Sequence, residues 1–325
     1  MSLVFGLTVK ILILMAVGFA GKKCGLIDEV CKEKLSGLLV NLLMPVCMLV
    51  SSQQTFRMER LRGAAVVALI AAVYYGVAFA VGMCAGKAAG FERKKRVIFM
   101  LLIAFANTGF VGLPVLTQLI GESGMLYGAI YNCVFDILYF SYGLYLLAGR
   151  EGCGVRGLFS NVMIWVAVAT VVIYMMPWRF PAVVTEALGM LGDTMMPVSM
   201  LIIGAEIAEM DLRTILTDRS AYGVSLLRMV VFPAATFLMM RVLGVDYEVA
   251  AAAIVLGAMP SGSLNVIMAQ KYHTHPAFAA TAVMQNTILM IVTRKILWRM
   301  IDGWCQAEYD RKIGMRRHLL LRKQE

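Results

Sequence analysis

The sequence predicts an all-α polytopic membrane protein with ten transmembrane helices. Three observations carry this. The 325-residue chain is 60% hydrophobic and only 15% charged, with a mean hydropathy of +0.78. A soluble domain of this size cannot hide that much apolar surface in one core. Apolar runs long enough to cross a bilayer recur from end to end, separated by short charged or Gly/Pro segments. One unusual word also occurs twice: Met-Pro-Val-Cys-Met-Leu at 44–49 and Met-Pro-Val-Ser-Met-Leu at 196–201, an offset of 152 residues.

The expected spans are 3–20, 35–52, 63–86, 97–120, 124–148, 158–176, 182–209, 220–243, 248–270 and 276–300. Residues 3–20 lack the small-residue cleavage signature of a signal peptide and are expected to stay as the first helix. Charged connections lie at 21–34 and 91–96. Ten spans divide into five and five, so the repeated word falls in spans 2 and 7, which are matching positions. An odd number of spans per half turns the second half upside down in the membrane, the inverted-repeat plan of many secondary transporters. The expected organisation is a first repeat over 1–148, a short linker at 149–157, a second repeat over 158–300 and a basic tail over 301–325.

The offset recurs. Ala-Asn-Thr-Gly-Phe-Val-Gly at 106–112 in span 4 aligns with Met-Pro-Ser-Gly-Ser-Leu-Asn at 259–265 in span 9, with the shared Gly offset by 153 residues. Asn132 in span 5 aligns with Asn286 in span 10 at an offset of 154 residues.

Both of these spans are expected to break. Asn107, Gly109, Gly112 and Pro114 sit together inside an apolar run, as do Pro260, Ser261, Gly262, Ser263 and Asn265. Gly costs a helix about 1 kcal/mol and Pro about 3 relative to Ala. Proline also lacks an N–H, and its ring displaces the carbonyl four residues earlier. Unwound backbone at membrane depth is tolerated only where protein buries it or where it lines a wet cavity. Asn, Thr and Ser beside each break, Thr108 among them, can satisfy the freed groups. The half-helix N-termini then present partial positive charge to an anion. Isolated prolines at 45, 197 and 233 read as kinks in packed helices.

At these residues the sequence resembles the auxin efflux carrier family: the plant PIN carriers and bacterial relatives described as malonate or permease-type transporters. The resemblance spans the whole chain and rests on residues 41–52, 104–116, 197–208 and 258–272. Its most specific element is Asn107-Thr108-Gly109 followed by Gly112-Leu113-Pro114, paired with a Pro break in span 9. The resemblance implies two inverted five-helix repeats, similar to the sodium/proton antiporter and bile-acid sodium symporter folds. Broken spans 4 and 9 would cross to form the substrate site, and spans 1, 2, 6 and 7 would form a scaffold. It also implies small organic anions such as carboxylates as substrates, and a homodimer. The short segment at 149–157, where the plant carriers have a long loop, favours a bacterial-type member.

Ionisable groups inside spans are costly and face a cavity or a partner. Asp136, one turn after Asn132, reads either as a proton or sodium coupling site or as a structural carboxyl. Arg228 in span 8 reads either as an anion contact or as a snorkelling side chain. Gln285 and Asn286 read as lining the cavity or bonding to neighbouring helices. Asn41 is expected to satisfy the carbonyl that Pro45 frees. Glu206, Glu209, His273 and His275 are expected at the interfaces.

The net charge of +10 is assigned to loops and tail, where Lys and Arg touch lipid headgroups, rather than to nucleic acid. The basic residues at 22–34 and 87–96 place those loops in the cytoplasm and the N-terminus outside. The basic tail, which ten spans also put outside, departs from that rule. Seven cysteines without a Cys-x-x-Cys pair predict neither a disulfide framework nor a metal site, and no cofactor is expected. The function read from the sequence is a secondary transporter of small organic anions. The alternatives are a sensor or structural protein that kept a transporter fold, and a membrane-embedded enzyme, for which no catalytic constellation stands out.

Overall fold

The computed structural model describes residues 3–53, 56–148, 162–176, 178–209 and 218–290. The expected linker at 149–157, the tail at 301–325 and the end of span 10 lie outside the described residues. Apart from turns and one isolated antiparallel bridge, the described chain is helical.

Helix α1 (Leu3–Lys23) is apolar apart from Thr8 and Lys10 until it ends in Lys22 and Lys23, which suit the negative end of a helix. Helix α2 (Glu29–Ser51) begins at Asp28, whose Oδ1 accepts from Cys31 N at 2.7 Å. Then follow α3 (Met58–Ala88), α4 (Arg93–Ala104), α5 (Thr108–Ile120) and α6 (Glu122–Leu147). Gly121, at φ 65°, makes the one-residue corner between α5 and α6. The second half holds α7 (Val162–Met175), α8 (Ala182–Ala208), α9 (Ser220–Leu243), α10 (Tyr247–Gly257), α11 (Leu264–Lys271) and α12 (276–290). Five of these (α2, α3, α6, α8 and α9) are long and apolar enough to cross a membrane.

Three of the four prolines inside these helices, at 45, 114 and 233, are accommodated by widening, while Pro197 in α8 follows a turn at Thr194. A π-helical turn at Leu39–Leu43 precedes Pro45, one at Thr108–Gly112 precedes Pro114, and one at Leu227–Val231 precedes Pro233. In each, the residue just before the proline donates its N–H five residues back, to Leu39 O, Thr108 O and Leu227 O. The extra residue per turn relieves the clash of the proline ring with the preceding turn. Asn41 does not serve Pro45 as expected. Its Nδ2 donates to Gly37 O at 2.9 Å, one turn upstream.

The core is built around α4 and α10. Every residue from Val97 to Ala104 and from Val249 to Gly257 is buried, with α3, α6 and α9 packed about them. Large apolar side chains such as Ile13, Leu69 and Val242 stay exposed on the outside, the surface a bilayer covers. Helices α1 and α8 cross at van der Waals distance through a reciprocal pair of glycines. A Cβ on Gly18 would lie 2.2 Å from Leu201 O, and one on Gly204 would lie 2.0 Å from Met15 O. At the end of this pair, Glu209 bridges Lys22 and Lys32, each at 2.6 Å.

Candidate functional site

Helix α4 stops at Ala104 and α10 at Gly257. The chain then runs extended through Phe105 and Asn107 in one case and through Pro260 and Ser261 in the other. The two extended segments pair with each other. Ala106 and Ser261 form the antiparallel bridge, Asn107 N donates to Pro260 O at 2.7 Å, and Gly262 N donates to Phe105 O at 3.0 Å. Each break therefore satisfies backbone groups of the other, which lets non-helical chain exist at the centre of the bundle.

Of the residues expected to open the break in span 4, only Asn107 lies in the gap. Gly109 and Gly112 lie in the π-turn of α5, and Pro114 is the second residue of the α-helix that follows. These residues reshape α5; the gap itself is Phe105–Asn107. Met44, the first residue of the repeated word in α2, packs on this turn, and its Cε would lie 2.8 Å from a Cβ on Gly109.

Side chains complete both breaks. Asn107 starts α5, its Oδ1 accepting from Phe110 N at 3.1 Å. Thr108 Oγ1 donates to Asn132 Oδ1 at 2.5 Å, and Asn132 Nδ2 donates to Gly128 O at 3.1 Å. In the second break Ser261 Oγ donates to Leu102 O at 2.6 Å and accepts from Asn286 Nδ2 at 2.7 Å. Asn265 Nδ2 donates to Phe105 O and to Gly262 O, each at 3.0 Å. Ser263, half-buried, opens α11, its carbonyl accepting from Val266 N at 2.9 Å.

The structure thus brings together Asn107, Thr108 and Asn132 at one break and Pro260, Ser261, Asn265 and Asn286 at the other. Pro114 is buried within α5, away from the gap. Asp136 lies one turn beyond Asn132 on α6 and is half-buried. Gln285 and Asn286 part company: Gln285 Oε1 accepts from Ser225 Oγ of α9 at 2.6 Å, while Asn286 turns to the crossing. Glu209 is exposed and ion-paired at a helix end, and His275 pairs with Glu92 at 2.6 Å between two connections.

Arg228 neither snorkels nor stands free. It is 0% exposed, and its Nε donates to Met259 O at 2.8 Å. Its Nη1 donates to Ile103 O at 2.8 Å and to the hydroxyl of Tyr74. Tyr74 drew no attention in the sequence, where it is one tyrosine in an apolar run. Three buried polar atoms around the crossing have no partner among the described residues: Arg228 Nη2, Asn265 Oδ1 and Asn286 Oδ1. Such an atom costs about 1–3 kcal/mol. Among the described residues no three His, Cys, Asp or Glu side chains gather as metal ligands would.

The profile of the membrane transport protein family matches the chain twice, over residues 3–156 and 155–298. An uncharacterized transporter of Methanothermobacter thermautotrophicus is 21% identical over 300 residues, covering 90% of this chain and 96% of the relative. Both findings point to a transporter rather than an enzyme. With the family profile covering nearly its whole length, this multi-pass chain belongs to the membrane transport protein family, that of the auxin efflux carriers.

Proposed function

We propose that the protein is a secondary transporter of small organic anions, carboxylates such as malonate or auxin-like acids, across the cytoplasmic membrane. The observation that carries this reading is the pair of mutually hydrogen-bonded helix breaks, with Asn107 N on Pro260 O and Gly262 N on Phe105 O. Opening two helices at the centre of a bundle forgoes helical hydrogen bonds. The cost is reasonable where backbone ends and amides serve a ligand.

In this reading ten spans form two inverted five-helix repeats, over 1–148 and 158–300. The double match of the family profile, one per half, supports it. So does the recurrence of a hydroxyl–Asn pair at each break, Thr108 with Asn132 and Ser261 with Asn286. The crossing bundle carries substrate past a scaffold in an elevator-like cycle. The substrate contacts are Asn107, Thr108, Gly109, Ser263 and Asn265, with Asn132 and Asn286 behind them and Pro114 and Pro260 shaping the chain. Asp136 is the candidate for proton or sodium coupling. The N-terminus lies outside, and lipids and a second copy of the chain are the partners.

The test is thermal stabilisation of purified protein by malonate, benzoate and indole-3-acetate, with and without sodium and at two pH values. A ligand that binds only the folded state raises its stability. Stabilisation by a carboxylate, lost in Asn107→Ala and Asn265→Ala variants that still fold, supports the reading. Equal stabilisation in both variants removes those residues from the site. Vesicles that bind the carboxylate yet show no counterflow would overturn transport.

A further inference from the structure

The two breaks bring four helix ends to one place, and the protein treats them unequally. At the end of α4, Ile103 O and Ala104 O accept from Arg228 Nη1, at 2.8 and 3.4 Å. Just past the end of α10, Met259 O accepts from Arg228 Nε at 2.8 Å. Nη1 also donates to the Tyr74 hydroxyl, and that hydroxyl donates onward to Gly257 O at 3.3 Å. One cation therefore gathers the carbonyl ends of both upstream half-helices. The side chains at the starts of α5 and α11 are neutral: Asn107, Thr108, Ser263 and Asn265.

A helix end carries about half an elementary charge, positive at the N-terminus and negative at the C-terminus. Left alone, two of each kind at one crossing would nearly cancel. The two C-termini together present about one negative charge, which the guanidinium offsets. The two N-termini keep about one positive charge with no counter-ion supplied by their own side chains. Nη2 of the same guanidinium is fully buried and has no partner among the described residues, so it is a donor that the helix ends leave unused.

We propose that Arg228 sets the sign of the site: by neutralising the two negative helix ends it leaves the two positive ones to select a small anion. This rests on reading the crossing as the substrate seat. Arg228 is a positioning and specificity residue that acts through the half-helices. It need not touch the substrate, because two of its three nitrogens are already committed to the helix ends and Tyr74.

The field can be read without knowing the substrate. Ser263→Cys places a thiol at the start of α11, and its alkylation by iodoacetamide, located by peptide mass spectrometry, follows its thiolate fraction. At pH about 7, adding Arg228→Gln is expected to slow alkylation roughly tenfold, and Arg228→Lys to stay within about twofold. The plateau rates reached at high pH, once the thiol of each variant is fully ionised, must agree and so control for fold and access. Tyr74→Phe, which removes the phenol but keeps the charge, is expected to leave the rate unchanged, and Arg228→Met, neutral and of similar length, is expected to slow it as Gln does and serves if the Gln variant does not fold. Equal rates at neutral pH with Arg228 and with Gln overturn the proposal, as does a tenfold fall in Tyr74→Phe. The second arm is stabilisation by benzoate against benzamide. Benzoate selectivity retained in Arg228→Lys and lost in Arg228→Gln supports the proposal. A field change without binding of any carboxylate by the parent keeps the electrostatic role of Arg228 and overturns the anion reading of the site.

Discussion

Asn286 Nδ2 donates to Ser261 Oγ at 2.7 Å, and both residues are fully buried. In the other half Thr108 Oγ1 donates to Asn132 Oδ1 at 2.5 Å, with Asn132 partly open. The two pairs have the same parts but different surroundings. A double-mutant cycle of Asn286→Ala with Ser261→Ala is expected to give a coupling of about 1–3 kcal/mol, and that of Asn132→Ala with Thr108→Ala a smaller one. Unfolding of the purified variants measures both. Equal couplings would mean that burial does not separate the two breaks.

Two glycines in the crossing are expected to answer differently to the same change. A Cβ on Gly262 would lie 3.0 Å from Ala106 O and 3.2 Å from Ala106 C, both backbone atoms held by the bridge. A Cβ on Gly109 would meet the far end of Met44, a flexible side chain. Gly262→Ala should destabilise by about 1–3 kcal/mol and weaken ligand binding, while Gly109→Ala should cost under about 1 kcal/mol. Melting curves of the two variants side by side decide this.

The breaks were legible because their signal is local. Asn107, Gly109, Gly112 and Pro114 in one apolar run, and Pro260 to Asn265 in another, are poor helix formers wherever they occur. The position of the gap was legible only at its downstream end, Asn107. It opens at Phe105–Asn107, upstream of Gly109 and Pro114, because it is set by pairing with Pro260 and Gly262, more than 150 residues away. Arg228 was visible as an odd charge, but its partners lie 31, 125 and 154 residues distant and belong to packing. Asn41 shows the reverse error: a local rule paired it with Pro45, whereas the π-turn at Leu39–Leu43 had already absorbed the proline.

The α1–α8 crossing has no room for a side chain. With backbone oxygens 2.0–2.2 Å from the Cβ positions of Gly204 and Gly18, any larger residue must push the helices apart. Gly204→Ala is expected to lower the yield of folded protein sharply, and Gly204→Leu to abolish it. Size-exclusion profiles of detergent-extracted variants test this. A normal profile for the Leu variant would show that the two helices do not depend on this contact.

The ion cluster that ends the same crossing should matter much less. Glu209 is exposed, and it bridges Lys22 and Lys32 across three elements. Exposed pairs gain little and are screened by salt. Glu209→Gln is expected to lower the melting temperature slightly at about 0.05 M NaCl, with the difference vanishing near 1 M. A loss that persists at high salt would assign the carboxylate a packing role instead.

Tyr74 provides the sharpest separation of stability from selectivity. Its hydroxyl takes a hydrogen bond from Arg228 and gives one to Gly257 O at 3.3 Å, deep in the core. Tyr74→Phe keeps the ring, which packs edge-on against Phe232 and Tyr75, and removes only the oxygen. Gly257 O is left without that donor and Arg228 without one acceptor, at a cost of about 1–3 kcal/mol. The guanidinium keeps Met259 O and Ile103 O, so its charge stays at the helix ends. The variant should therefore melt earlier than the parent yet show the same ratio of benzoate to benzamide stabilisation. A lost ratio at intact fold would mean that the phenol, and not the cation alone, tunes the site.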